Sequence, residues 1–212
     1  MKRLFFLLLV VSIVLISCEE PITFSEPQPM NVSSLEKFPN RIQGKFLSKD
    51  DSSFLNISKV YVVRVYDFLD KISTNEIDSS VIRKGDTLID ISTNQIALIV
   101  SEDDSLKIKI HIEDTIFKIS SDNVLKKYKG HYFLNLKKDE NNWEVKKLSY
   151  NKGELIISSI NSEVEINNLE EITGTSSGDS TEQITFSPSK KQFKEFLKTG
   201  GFSENEHFVR VR

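Results

Sequence analysis

Cysteine occurs once in the 212 residues, at Cys18, and alanine once, at Ala97. A single cysteine excludes an intramolecular disulfide framework and any site built from several thiolates. The near absence of alanine, the strongest helix former, argues against a helical bundle. Histidine is scarce too: His111, His131 and His207 stand at no metal-ligand spacing. His111 and Glu113 alternate onto one strand face, where a solvent-facing strand end is the expected reading. There is no excess of positive charge, with 28 Lys and Arg against 31 Asp and Glu. That balance argues against a nucleic-acid partner, which needs a basic patch or stripe, and against capture by anionic lipid head groups.

Catalytic signatures are missing as well. The chain holds no G-x-S-x-G elbow, no phosphate loop and no dinucleotide fingerprint. The acidic runs Asp50-Asp51 and Glu102-Asp103-Asp104 lack the alternation and glycine of a calcium loop. No pair of carboxylates is singled out for glycoside hydrolysis. No catalytic residue, metal or cofactor is expected.

What is present is β pattern. Apolar residues are mostly Ile, Leu, Val and Phe, which suit a pleated, half-buried surface. Leu106, Ile108, Ile110 and Ile112 alternate with Lys107, Lys109, His111 and Glu113, predicting a strand with one face on the core. Asp114-Thr115 is expected to turn this strand into a hairpin partner at Ile116–Ile119. Further strands are predicted at Ile42–Ser48, Ser53–Ile57, Val60–Phe68, Thr87–Ser92, Gln95–Ser101, His131–Leu136, Trp143–Tyr150 and Glu154–Ile160. Short turn-rich links join them, so the expected fold is mainly β (α+β): an antiparallel meander forming a barrel or sandwich. Pro39–Phe46 and Leu125–Tyr132 echo one another around Gly44 and Gly130, which predicts a two-fold internal repeat.

The end of the chain changes character. Ser162 with Glu165, and Ser189 with Gln192, are capping boxes that predict two short helices near the C-terminus. Thr173 to Glu182 reads as a loop, and His207 to Val211 as a last strand. Phe193, Phe196 and Phe202 are expected to plug an end of the barrel. Four segments follow: residues 1–17, 18–34 as a Pro-rich flexible tether, 35–160 as the β domain, and 161–212 as an α+β segment packed on it.

The first segment carries an address. Lys2 and Arg3 precede an apolar run from Phe5 to Ile16, too short to span a bilayer and fitting a signal peptide. It ends Leu15-Ile16-Ser17-Cys18. This resembles the lipobox of bacterial lipoproteins, and the whole chain is similar in style to lipoproteins of Bacteroidota. The resemblance implies cleavage before Cys18 and lipid attachment to its thiol, with acyl chains such as palmitate as a membrane anchor. Without residues 1–17 the balance is 26 basic to 31 acidic residues. Glu19 and Glu20 point to the outer membrane, with its face left open.

Two residues are candidates for ligand contact. Arg64 interrupts the apolar face of its strand, where it would meet a ligand carboxylate or an internal acid, the internal acid being favoured. Trp143, the only tryptophan, would line a pocket or, as favoured, anchor the core. The expected function is a non-catalytic binding or structural module of the cell envelope. Its partners would be the membrane, through lipid on Cys18, and envelope proteins. The alternative is a lipocalin-like carrier of a small hydrophobic ligand, with an envelope hydrolase third.

Overall fold

A computed structural model describes residues 22–73, 77, 79–103, 105–175 and 184–211. The segment expected to be a signal peptide, Cys18 and the two glutamates after it lie outside the described residues, as does most of the loop predicted at Thr173 to Glu182.

The chain is mostly strand, as its composition predicts. The strands are β1 (Thr23–Phe24), β2 (Ser34–Leu35), β3 (Gly44–Ser48), β4 (Phe54–Ile57), β5 (Tyr61–Ile72), β6 (Val81–Lys84), β7 (Thr87–Asp90) and β8 (Ile96–Glu102). They continue with β9 (Leu106–Lys118), β10 (Asn123–Tyr128), β11 (His131–Lys137), β12 (Trp143–Asn151), β13 (Glu154–Ser159), β14 (Thr185–Phe186) and β15 (Glu204–Arg210). Two helices, α1 (Glu163–Thr173) and α2 (Lys190–Lys198), stand where the capping boxes predict them, and both boxes are formed.

All strands belong to one sheet, ordered β2-β10-β11-β12-β13-β15-β3-β4-β5-β9-β8-β7-β6, with β1 paired to β12 and, in parallel, to β14. The C-terminal strand is therefore no appendage. β15 lies between β13 and β3 and joins the two halves of the body.

The body is a curled sheet with apolar side chains on both faces. Its concave side is filled by Phe38, Ile42, Phe46, Phe117, Tyr132 and Phe208, all at most 1% exposed. The helices cover the other face. There Phe193, Phe196 and Phe202 pack with Phe24, Phe133 and Leu169. They thus cover a face of the sheet and do not plug an end: Phe133 alternates with Tyr132 and Leu134 along β11, which puts it on the opposite face.

Two other expectations are corrected. Asp114-Thr115 is not a turn. β9 runs straight through it and pairs with β5 along its length, from Tyr61 opposite Lys118 to Ile72 opposite Leu106. A bulge between Val62 and Val63 absorbs Ile116 of β9, so Phe117 joins Asp114 on the inner face. Residues 22–34 are not a tether either. Lys126 Nζ donates to the carbonyls of Pro27 (2.7 Å) and Pro29 (2.9 Å). Asn135 accepts from the Gln28 amide and donates back to the Gln28 carbonyl. Lys126 and Asn135 are buried, and strapping this segment across β10 and β11 supplies their hydrogen bonds.

The two echoing segments do not form a structural repeat: Pro39–Phe46 is a 3-10 turn at Asn40–Ile42 running into β3, whereas Leu125–Tyr132 is the β10–β11 hairpin. Gly44 has φ of +139°, and a Cβ there would lie 2.5 Å from Arg210 Nη1. The missing side chain lets the Arg210 guanidinium stack on Phe46 and donate to the carbonyls of Gln43 and Arg41. Gly130 instead forms, with Lys129, a two-residue turn with positive φ at both positions.

Candidate functional site

Beyond the body, β5 and β9 continue as a two-stranded ribbon. With β6, β7 and β8 they form an arm, from Tyr66 to Ile112, that the sequence pattern alone did not separate from the body. The arm has a small core: Leu88, Leu106 and Ile108, flanked by Ile72, Ile77, Val81, Ala97, Ile99 and Ile110. These residues share the arm's inner face by register. An apolar cleft of about 240 Å³ opens there, rimmed by the polar side chains of Asp90 and Gln95.

The outer face is unusual. β8 alternates exposed Ile96, Leu98 and Val100 with half-buried Ala97 and Ile99, so it is apolar on both sides. Ile82 and Ile89 continue the outer row through the register of β6 and β7. Of the twelve large hydrophobic residues exposed among the described residues, seven lie in the arm: Phe68, Leu69, Ile82, Ile91, Ile96, Leu98 and Val100. Clustered exposure of this kind marks an interaction surface, whereas scattered exposed leucines and valines do not.

Where the arm leaves the body, charged side chains ring a cleft of about 290 Å³: Arg64, Asp114, Glu144, Lys146 and Glu206. Arg64 does face inward, as its interruption of an apolar face predicts. It is ion-paired with Glu206, hydrogen-bonded to the Tyr66 hydroxyl (3.4 Å) and stacked over Phe208 (5.3 Å). Burial opposes its charge, but the Glu206 and Tyr66 bonds outweigh burial and raise its pKa. Its Nε is buried without a hydrogen-bond acceptor and sits in the guanidinium that covers the Phe208 ring. Glu144 is held by Lys138 and by Lys146 at 3.2 Å, and these bonds keep its pKa low despite burial. The cleft is largely self-neutralised. Arg64 is a structural ion-pair partner at the root of the arm.

Trp143 lies in the second core, 9% exposed and opposite Phe24 in the β1–β12 register. It anchors the incoming chain and lines neither the arm's cleft nor the charged one. His111 is exposed on the outer face of the arm, with Nδ1 2.8 Å from Asp67 and Nε2 3.4 Å from Glu113. The Asp67 hydrogen bond, then the Glu113 bond, raises its pKa. Among the described residues no His, Cys, Asp and Glu group is arranged to hold a metal ion.

Placement links arm and chain start. Glu144 and Lys146 of β12 line the same cleft as Arg64 and Asp114. Trp143, next to Glu144, pairs with β1. The described chain therefore enters the fold beside the cleft from which the arm projects. Comparison with protein-family models, with curated proteins and with solved structures finds no match.

Proposed function

We propose that this chain is a lipid-anchored binding module of the cell envelope, held through Cys18 and presenting its arm to a partner associated with the same membrane. The observation that carries the reading is the apolar outer face of the arm, with Ile96, Leu98 and Val100 each more than half or about half exposed (52%, 50% and 54%). An apolar patch left in water is a cost unless a partner covers it. The described fold begins at Ile22. Three residues separate it from Cys18, a Cα-to-Cα span of at most about 14 Å when fully extended. A lipid on Cys18 would therefore hold the body close to the head groups, and the arm starts at the end of the body where the chain enters. The buried strap across β10 and β11 supports this short leash, because residues 22–34 are used to hold the fold and do not extend its reach.

Anchor and arm are tested separately. Cys18→Ala is expected to lose the protein from carbonate-washed membranes. Retention of that variant would overturn the anchor. Leu98→Lys in the lipidated protein is expected to stay on the membrane and to lose the partner.

A second reading, a carrier of a small hydrophobic molecule, is favoured by one observation: the apolar cleft on the arm's inner face. In the body, Phe38, Phe46, Phe117, Tyr132 and Phe208 fill the concave side, and the cleft at its edge is ringed by charge. Native mass spectrometry of the purified protein, searching for a retained small mass that Leu88→Trp expels, tests this reading.

A further inference from the structure

The chain is acidic overall, yet its charge is segregated. Residues 123–131 and 190–198 together hold seven lysines and one glutamate. These stretches meet at the β10–β11 turn and α2, where a cleft of about 300 Å³ is lined by Lys129, His131, Lys194, Leu197 and Lys198. No carboxylate lines it. Glu195, the one acid of α2, pairs with Lys198 at 3.4 Å. Lys129 and Lys194 have no acidic partner among the described residues. From β12, Lys147 adds positive field at His131 while its own ammonium donates to the carbonyls of Gly201 and Phe202.

His131 completes the set. Its Nδ1 is 2.8 Å from the Ser149 hydroxyl, and no other hydrogen bond to the ring is formed among the described residues. With the serine hydroxyl donating to Nδ1, the proton of the neutral ring sits on Nε2, which is then a free donor. Burial, then the Lys147 charge, lowers the His131 pKa. A bound anion would reverse that pressure. The floor differs from a solvated lysine face, because Leu197 packs against the core under the helices and the lysines stand around an apolar base.

We propose that this cleft binds a phosphate group, with Lys129, Lys194 and Lys198 supplying charge, His131 supplying a hydrogen bond and Leu197 accepting the apolar part of a phosphate ester. Three ammonium groups around one concavity suit a dianionic phosphate better than a monoanion, and the volume leaves room for an organic substituent. His131 stands about 20 Å along β12 from Trp143, measured from the six-residue offset between Ser149 and Trp143. The cleft is thus at the other end of the body from the chain's point of attachment. Free phosphate compounds and phosphorylated lipid head groups share the required chemistry.

The test uses the lipidated protein in non-ionic micelles at constant ionic strength. Inorganic phosphate is titrated in one arm and micelle-incorporated phosphatidate in the other, with the His131 ring resonances followed through pH. Saturable binding that raises the His131 midpoint by roughly one unit is expected in at least one arm, while His111 stays unchanged. Saturation by inorganic phosphate assigns a soluble ligand, and saturation by phosphatidate alone assigns a lipid head group. Lys129→Gln, in an exposed turn, and Lys194→Gln should each weaken binding about tenfold. Lys191→Gln, exposed on α2 outside the cleft, should change it less than about twofold. An unmoved His131 midpoint in both arms overturns the site. So does an equal loss from Lys191→Gln, which would reduce the effect to general charge.

Discussion

The body and the arm are built from the same residue types and use them in opposite ways. In the body, both faces of the sheet carry packed cores, and several polar groups on the helix-covered face are consumed by the chain itself. Lys126 and Asn135 hold the strap, Lys147 holds the Gly201-Phe202 turn, and Glu165 caps α1 while accepting from the amide and hydroxyl of Ser203. In the arm, three buried residues form the core and the remaining apolar side chains stand half in water. A structure that hides most of its aromatics in one half and exposes isoleucine and leucine in the other has a boundary between a fully packed region and one whose apolar face is open to solvent. That boundary falls at Arg64 and Asp114, where the inner face turns from apolar to charged.

The comparison can be broken first where burial is deepest. Phe133→Ala, at the centre of the aromatic cluster with Phe193 and Phe202, should destabilise the whole protein by about 3–5 kcal/mol in denaturant unfolding. Leu88→Ala should cost about 2 kcal/mol and act locally, with hydrogen exchange accelerating in β6–β8 while β11 and β12 stay protected. If both halves lose protection together, arm and body are one cooperative unit and the contrast fails.

Next comes Glu165. Burial opposes its charge, but bonds from Ser203, Asn161 and Ser162 prevail and lower its pKa below 4.5. A depressed folded pKa means its stabilisation is full above the unfolded value and disappears as pH falls through the folded one. Glu165→Gln should cost about 1–3 kcal/mol at neutral pH. The gap between wild type and variant should close on acidification below pH 4.5. A constant gap down the whole acid limb would contradict the assignment. Lys126→Met leaves the Pro27 and Pro29 carbonyls unpaired, costing about 1–2 kcal/mol, and should expose residues 25–31 to protease. The smallest effect on stability belongs to the arm's outer face, where Leu98→Lys should stay within about 0.5 kcal/mol of the parent.

Much of this was legible in sequence. The strand pattern, the two capping boxes and the inward Arg64 all follow from periodicities and spacings that act over a few residues. The arm was hidden because the alternation of Leu106–Ile112 looks the same whether its apolar side meets a large core or a small one. The 13-residue length of β9 was hidden because a bulge, invisible to period counting, resets the pattern at Ile116. The strap was misread for a related reason. Prolines in polar company look extended from inside the segment, and its partners, Lys126 and Asn135, lie about a hundred residues away. The basic cleft was lost by averaging, since an overall acidic balance conceals three lysines and a histidine brought together by the β10–β11 turn and α2.

The central claim is that the arm is the surface that meets a partner. The most direct measurement places a photo-crosslinking residue at Leu98 in the lipidated protein on its own membranes, with Val164 on α1, which is more exposed still (69% against 50%), as an apolar control on the body. The account predicts a discrete adduct at Leu98 and none at Val164. An adduct at both, or at Val164 alone, or none at Leu98, would contradict it.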